Sequence, residues 1–265
     1  MSCSQSTNRL ENKIAVVSGG TRGIGLAVAT TLLSEGAQVF IGSRNALSRN
    51  AQNDSITTAM AERLTYLPLD VTSHKSVEQF IADVSERSGP PCILVNSAGI
   101  SHHQSVIGHD DDAWQEVLDV NLSGTYRMIK ACLPLMKRQG WGRIVNIAST
   151  AAHTAHPGYA AYCASKAGVL GLSRTVALEG APFGVNCVSV SPTWVATDML
   201  QATAAETAAE QGIDKSQVLD TIAQANPQGR IVEPEEIAAL VKLLCSEEVS
   251  GLTMEDIQIN AGAHW

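Results

Sequence analysis

Three side chains in the middle of the sequence have the types and the spacing to handle a proton at a substrate oxygen: Ser149, Tyr162 and Lys166. Tyr162 and Lys166 are four residues apart, so on a helix they share one face. A phenol with an ordinary pKa near 10 is a poor acid or base at neutral pH, but an ammonium about 4 Å away stabilises the phenolate by at most ~4 kcal/mol. Ser149 can then hydrogen-bond the substrate oxygen, so that developing charge meets a preorganised donor. The three residues therefore predict acid/base chemistry centred on Tyr162.

A tyrosine and a lysine at this spacing are common and usually structural, so the elements that would position them matter. A glycine-rich turn, Ser18–Gly25, follows the apolar run Ile14–Val17 and precedes a helical pattern. The backbone N–H groups of such a turn and the helix dipole can hold a pyrophosphate. The glycine spacing departs from G-x-G-x-x-G, so a purely structural turn is the alternative. The predicted nucleotide contacts are Gly19, Thr21, Arg22, Gly23, Ile24 and Gly25.

The end of the second predicted strand indicates which nucleotide would bind. An NAD enzyme typically offers Asp or Glu about twenty residues after the turn, but this chain has Ser43, Arg44 and Asn45 there. The guanidinium of Arg44 suits a 2′-phosphate, and Arg22 can supply a second cation. NADP(H) is therefore expected in preference to NAD(H), with two solvated surface arginines as the alternative. Further contacts are expected where the third and fourth strands end, at Asp70, Val71, Asn96, Ala98 and Gly99.

Short apolar runs alternate with helical patterns along the chain, which is typical of an α/β protein with a parallel sheet. The sequence predicts one Rossmann-type domain over residues 1–265, with a doubly wound parallel sheet of about seven strands and helices on both faces. Residues 1–10 are expected to be a flexible N-terminus, and the Ala-rich segment 193–226 a substrate loop or lid. The strands are expected at residues 14–17, 38–41, 65–69, 93–95, 143–147, 185–190 and 257–260.

The charge balance excludes some classes of partner. Lys and Arg total 18 against 26 Asp and Glu, a net charge of -8, so the surface field repels phosphate backbones and anionic lipids.

The six cysteines are scattered, with no C-x-x-C pair and no histidine at metal spacing, which predicts no metal site. No apolar run is long enough to span a membrane and no secretory signal is visible. We therefore expect a cytoplasmic protein without nucleic-acid or membrane partners.

Over roughly residues 10–263 the sequence resembles the short-chain dehydrogenase/reductase family. The motifs that carry the resemblance are Gly19, Gly23 and Gly25, Asn96-Ser97-Ala98-Gly99, Asn121 in Val120-Asn121-Leu122, Ser149, Tyr162 with Lys166, and Pro192 followed by Thr197. The resemblance implies a ketone reductase or alcohol dehydrogenase that uses NADP(H). It also implies nicotinamide contacts at Pro192, Val195 and Thr197, and a homotetramer, with a homodimer as the alternative.

The same resemblance implies a role for each of four residues. Tyr162 would be the proton donor or acceptor, while Lys166 would lower its pKa and bind the nicotinamide ribose. Ser149 would hold the substrate oxygen, and Asn121 would position a water in a proton relay behind Lys166.

Two departures from the family pattern bear on the substrate. The family usually has Asn where this chain has Ser97, and Gly where it has Thr193, so Thr193 is expected to reduce the room beside the nicotinamide. No clamp for a carboxylate or a coenzyme A tail stands out, so we expect a small neutral ketone or secondary alcohol. The expected substrate pocket consists of Ser149, Ala151, His153, Tyr159, Thr193, Trp194, Met199 and Leu200, with His102 and His103 nearby.

Two other functions are possible on this sequence. One is an NADP(H)-binding sensor, which would have no need of the complete set Ser149, Tyr162 and Lys166. The other is a non-redox enzyme of the same fold, such as a dehydratase, epimerase or cyclase, for which Ser97 and Thr193 leave some room. The carboxy-terminal aromatic, Trp265, is expected either to pack at a subunit interface or to belong to a disordered tail.

Overall fold

The computed structural model describes residues 9–44 and 57–263. In this part of the chain the strands are β1 Ile14–Ser18, β2 Gln38–Ser43, β3 Leu64–Pro68, β4 Ile93–Asn96, β5 Gly142–Ile147, β6 Val185–Pro192 and β7 Asp256–Ile259. All seven run parallel in one sheet, in the order β3-β2-β1-β4-β5-β6-β7. The doubly wound parallel sheet predicted from the sequence is thereby confirmed.

Helices connect the strands, as parallel neighbours require. They are α1 Gly23–Ser34, α2 Thr58–Ala61, α3 His74–Ser88, α4 Asp111–Leu118, α5 Gly124–Gln139, α6 Ala160–Gly180, α7 Asp198–Gln211, α8 Lys215–Ala225 and α9 Pro234–Cys245. A π-helical segment, Asp119–Ser123, joins α4 to α5, and a 3-10 turn, Thr150–Ala152, lies between β5 and α6.

The core has two layers because helices cover both faces of the sheet. Successive residues of β1 belong to different layers: Val17 packs in the layer that contains Leu32 of α1, and Val16 in the layer that contains Phe80 of α3. The first layer is completed by α9, and the second by α5 and α6. Because both faces are covered, strands such as Ile93–Asn96 are buried along their whole length and read as continuous apolar runs.

A buried chain of hydrogen bonds joins three strands to the long helix α6. The Nδ2 of Asn96 donates to the Oδ1 of Asn146 at 2.8 Å, and the Nδ2 of Asn146 donates to the hydroxyl of Ser173 at 2.8 Å. The hydroxyl of Ser189 also donates to Ser173, at 2.9 Å. All four residues are at most 3% exposed. This network holds α6, which begins at the site described below, at a fixed position over β4, β5 and β6.

The predicted flexible N-terminus and the predicted substrate loop or lid both contain residues with defined structure. Segment 193–226 contains α7 and α8, which pack through Ala204, Ala208 and Val218. Residues 1–8 lie outside the described part, but Leu10, at the end of the predicted flexible N-terminus, is 1% exposed and its N–H donates to the carbonyl of Glu35 at 2.9 Å. Within the described residues, no helix has the length and apolar character needed to cross a membrane.

Candidate active site

A cavity of about 740 Å³ opens along the carboxyl ends of the strands. It lies where the strand order reverses between β1 and β4, which is where open parallel sheets bind ligands. Residues that follow β1 through β6 line it, together with the start of α7. The ends of six of the seven strands therefore contribute residues to this one cavity.

The glycine turn at one end of the cavity is formed by close backbone packing. Gly19 has a φ of +68°, and a Cβ there would lie 2.8 Å from the backbone of Ala98. A Cβ on Gly25 would overlap the carbonyl oxygen of Gly19. Helix α1 then begins at Gly23 without a side-chain cap from Arg22, which leaves the first backbone N–H groups of the helix for an anion. The turn therefore fits a diphosphate.

Two arginines lie on the cavity wall beside this turn. Arg22 and Arg44 both line the cavity, and both are exposed. Asp70, at the end of β3, also lines it, with its carboxylate accepting from the hydroxyl of Thr72 at 2.7 Å. The predicted contact Asn45 lies outside the described residues. The positive charge of the two arginines and their position beside the glycine turn fit a nucleotide that carries a phosphate group in addition to its diphosphate.

At the centre of the cavity the structure brings Ser149, Tyr162 and Lys166 together. Ser149 directly follows β5 in extended conformation, with a φ of −172°, and accepts a hydrogen bond from the N–H of Ala151 at 3.1 Å. Tyr162 and Lys166 lie on the first turns of α6. The Nζ of Lys166 is 5.6 Å from the centre of the Tyr162 ring.

Burial perturbs the protonation of this group. Burial raises the pKa of Tyr162, while its hydrogen bond with Ser149 lowers it. Lys166 is 5% exposed, and burial lowers its pKa to about 8. Its Nζ donates to the carbonyl oxygen of Ile147, the last residue of β5, at 2.7 Å. Burial thus disfavours the charged form of both side chains, and the pKa of Tyr162 is raised rather than lowered as the resemblance implies.

Asn121 lies behind this group and does not line the cavity. It is 1% exposed within the π-helical segment, and its side-chain amide pairs with both backbone groups of Ile100, each at 2.9 Å. Its Nδ2 also donates to the hydroxyl of Ser165 at 3.0 Å. Asn121 therefore connects the loop after β4 to the helix that carries Tyr162 and Lys166. A π-helical turn at a functional position is a recurring feature of enzymes.

His153 has a different place from the one expected from the sequence. It was predicted in the substrate pocket, but it does not line the cavity. Its Nε2 lies 2.7 Å from the carboxylate of Asp256, the first residue of β7, which also accepts from the hydroxyl of Ser191 at 2.7 Å. The ring therefore attaches the turn after Ser149 to the edge of the sheet, a contact between residues 103 positions apart.

Thr193 lines the cavity, as expected from its position after Pro192. Its backbone N–H donates to the carbonyl of Ile259 at 3.0 Å. Its hydroxyl is buried and has no hydrogen-bond partner among the described residues. The hydroxyl of Thr193 therefore does not face the cavity, and the less polar atoms of this residue line it.

The other end of the cavity is formed by Tyr159 and α7. The phenol of Tyr159 is half-buried: burial raises its pKa, a hydrogen bond with Thr203 of α7 lowers it, and the nearby Glu206 and Glu210 raise it. The ring of His103 lies 5.0 Å from the Tyr159 ring, and its Nδ1 is 3.8 Å from the carboxylate of Glu210. Helix α7 is thus in contact with the segment that leads into α6.

Most predicted site residues surround the cavity. The exceptions among the described residues are Gly25, which packs beneath the turn, Asn96, which belongs to the buried network, Asn121 and His153. Those that line it are Gly19, Thr21, Arg22, Gly23, Ile24, Ser43, Arg44, Asp70, Val71, Ala98, Gly99, Ser149, Ala151, Tyr159, Tyr162, Lys166, Pro192, Thr193, Trp194, Val195, Thr197, Met199 and Leu200.

The structure adds twelve lining residues that were not among the predicted contacts. Six are polar, namely Ser97, Ser101, Thr150, His156, Asp198 and Thr203, and six are apolar or glycine, namely Gly42, Leu69, Ile100, Val120, Ile147 and Ala148. Thr203 lies three residues after Leu200 on α7. Because Leu200 is a predicted pocket residue, helical periodicity could have predicted that Thr203 lies on the same face of the helix. His156 lies in an irregular loop, and no periodicity indicates the direction of its side chain.

Known proteins match nearly the whole chain. A family model described as enoyl-(acyl carrier protein) reductase matches residues 19–264. The D-beta-hydroxybutyrate dehydrogenase of Rhizobium meliloti is 32% identical over 252 residues, which cover 94% of this chain and 98% of the relative. The 3-oxoacyl-(acyl-carrier-protein) reductase FabG of Haemophilus influenzae is 34% identical over 255 residues, which cover 96% and 99%. A solved single-residue variant of actinorhodin polyketide ketoreductase with NADPH has a TM-score of 0.86 at 32% identity, covering 94% of this chain and 96% of that one.

Proposed function

Because the chain belongs to the short-chain dehydrogenase/reductase family, we propose that it transfers a hydride between NADP(H) and a carbonyl or secondary alcohol substrate. The observation that carries this proposal is the meeting of Ser149, Tyr162 and Lys166 in the cavity that also contains the glycine turn. The names of the relatives, a dehydrogenase and several reductases, support the same class of reaction.

The residues of this chain have distinct tasks in that reaction. Ser149 donates a hydrogen bond to the carbonyl oxygen and fixes its position. Tyr162 delivers its proton to that oxygen as negative charge develops there, and takes it back in the oxidation direction. Lys166 stabilises the resulting phenolate by its charge, since its ammonium lies on the same side of α6. Asn121 positions this group by joining α6 to the loop after β4.

The cofactor supplies the hydride, and the described residues fit NADP(H). The first turn of α1 and the closely packed glycines would hold the diphosphate, and Arg44 with Arg22 would hold the 2′-phosphate. We propose on this basis that NADP(H) is preferred over NAD(H), as the sequence predicts. The solved relative with NADPH supports the assignment.

Two further proposals concern assembly and access. Exposed apolar side chains on α5 and in the turn after α6, such as Tyr126 at 46% and Phe183 at 47% exposure, support a homotetramer or homodimer formed through these helices. Light scattering on the purified protein gives its mass.

Helix α7 would act as the lid over the substrate, since Thr203 contacts Tyr159.

The main experiment is NADPH oxidation followed at 340 nm against ketones, diketones and β-keto esters. We expect turnover by the native protein and a loss of at least about 100-fold in Tyr162→Phe, because the proton donor is removed. Tyr126→Phe, on the exposed face of α5, is the matched control and is expected to keep full activity. Tight NADPH binding without turnover of any compound would move the assignment to a sensor or a non-redox enzyme.

A second experiment tests the nucleotide. Arg44→Leu is expected to raise the KM for NADPH by about 10- to 100-fold, because a charge-assisted bond to the 2′-phosphate contributes roughly 1.5–3 kcal/mol. The KM for NADH, which lacks that phosphate, is expected to stay within about two-fold. Arg87→Leu, at the exposed end of α3, is the control. Equal effects on the two cofactors would contradict the assignment of Arg44.

A further inference from the structure

The cationic side chains of the cavity are confined to one part of it. Among the described residues that line it, the lysines and arginines are Arg22, Arg44 and Lys166. The first two flank the nucleotide turn, and the third is committed to the carbonyl of Ile147 beside Tyr162. The substrate side is lined instead by neutral hydroxyl, aromatic and aliphatic side chains and one histidine: Ser101, Thr150, Ala151, His156, Tyr159, Trp194, Met199, Leu200 and Thr203.

Two glutamates of α7, Glu206 and Glu210, lie near the same end. The carboxylate of Glu210, near the end of α7, is 3.8 Å from the Nδ1 of His103, whose ring is 5.0 Å from the ring of Tyr159. Glu206 is close enough to the Tyr159 phenol for its charge to disfavour the phenolate. These two carboxylates, on a chain with a net charge of -8, repel an anion that approaches this end of the cavity.

Among the described residues, the substrate side offers no lysine or arginine to an anionic substrate. A carboxylate or phosphate that leaves water needs a charged or multiply hydrogen-bonding partner, and it binds more weakly without one. Neutral carbonyl or ester oxygens, by contrast, are satisfied by hydroxyls such as those of Tyr159 and Thr203.

From this distribution of charge we infer that the substrate is an uncharged carbonyl compound or alcohol that enters free in solution, and that the site discriminates against carboxylates and against thioesters carrying a phosphorylated tether. The inference rests on the proposed function, because it describes the substrate of the same site. The aromatic side chains Tyr159 and Trp194 favour a substrate with an apolar body.

The experiment compares substrates that carry a free carboxylate with the uncharged ethyl esters of the same acids. The kcat/KM with NADPH is measured for ethyl acetoacetate against acetoacetate, for ethyl benzoylacetate against benzoylacetate, and for acetoacetyl-coenzyme A. The assay runs at pH 8, where histidine side chains are ordinarily uncharged. We expect each ester to exceed its acid by at least about 100-fold.

Two results would overturn the inference and leave the proposed function intact: an acid that equals or exceeds its ester, or turnover restricted to the coenzyme A thioester. Absence of hydride transfer to every compound, with NADPH bound, defeats the proposed function itself and the inference with it.

A variant pair tests the role of the acidic residues directly. The double change Glu206→Gln and Glu210→Gln removes two charges from the entrance and is expected to raise kcat/KM for the acids by about two- to five-fold at low salt, with the esters unchanged. Glu78→Gln, on the exposed side of α3, is the matched control and is expected to alter neither class. Acids and esters that respond equally to the double change would contradict the electrostatic explanation.

Discussion

The buried ammonium of Lys166 is expected to cost the protein stability, so Lys166→Met makes the protein more stable as it abolishes activity. Burial lowers the pKa of Lys166 from 10.5 to about 8, a difference that corresponds to about 3 kcal/mol of free energy. Loss of the hydrogen bond to Ile147 subtracts about 1 kcal/mol. At pH 7 the variant is therefore expected to be about 2 kcal/mol more stable than the native protein.

The sign of the effect depends on pH in a defined way. The pKa is lower in the folded than in the unfolded protein, so the unfolded state binds more protons between pH 8 and 10.5. The stability of the native protein rises relative to that of the variant across this window. Below pH 8 the native protein bears the full free-energy cost of burying the Lys166 ammonium, and above pH 10.5 it bears none of this cost. At pH 10.5 the variant is therefore expected to be the less stable of the two, by about 1 kcal/mol.

The assay is urea unfolding followed by circular dichroism, without nucleotide, at several pH values from 7 to 10.5. Lys75→Met, at an exposed position of α3, serves as the control and is expected to change the free energy of unfolding by less than about 0.5 kcal/mol at every pH. Ionisation of groups remote from position 166 is common to the two proteins and cancels in the comparison. A Lys166→Met protein that is less stable at pH 7, or a difference that does not change with pH, would refute the reasoning.

Three other substitutions have expected outcomes. Met254 has a left-handed φ of +69°, so Met254→Gly is expected to stabilise the fold by about 1 kcal/mol in a urea titration. Gly25→Ala places a methyl group against the carbonyl of Gly19, and it is expected to destabilise the fold by about 1–3 kcal/mol and to weaken NADPH binding measured by calorimetry. Thr193→Val removes a buried hydroxyl that has no partner among the described residues, and is expected to raise the free energy of unfolding by about 1 kcal/mol.

The methionine and glycine substitutions each have a control in the chain. Met199→Gly, at 40% exposure against 44% for Met254, lies within α7 and is expected to destabilise by about 1 kcal/mol. Gly171→Ala, in α6 with no atom within 4 Å of the new methyl group, is expected to be neutral or stabilising. Stabilisation by both methionine substitutions, or destabilisation by both glycine substitutions, would show that the backbone explanation is wrong. A Thr193→Val protein that is less stable than the native one would mean that the hydroxyl is hydrogen-bonded.

The sequence was sufficient for the sheet and for the centre of the site. Strands such as Ile93–Asn96 are short apolar runs bounded by polar residues, and covering them on both faces requires helices between them. Tyr162 and Lys166 share a face because helical periodicity is fixed, and Ser149 reaches them because it follows a strand that ends at the same edge of the sheet.

The remainder depends on contacts that no local pattern contains. His153 pairs with Asp256, and Asn121 pairs with the backbone of Ile100, through loops and a π-helical turn whose geometry arises only in the folded chain. Where a residue such as His156 lies in an irregular loop, spacing in the sequence gives no direction for its side chain.

The contacts of β7 impose an order on the synthesis of a working enzyme. The strands β1 to β4, which lead into the glycine turn and Arg44, are neighbours in the sheet and are translated first. The substrate half waits for Asp256 and Ile259, which hold His153 and Thr193 in place. At cellular elongation rates of 5–20 residues per second, roughly ten to fifty seconds separate the emergence of β1 from that of β7. The turn after Ser149 and the segment at Thr193 thus gain these contacts only when translation of the chain is nearly finished.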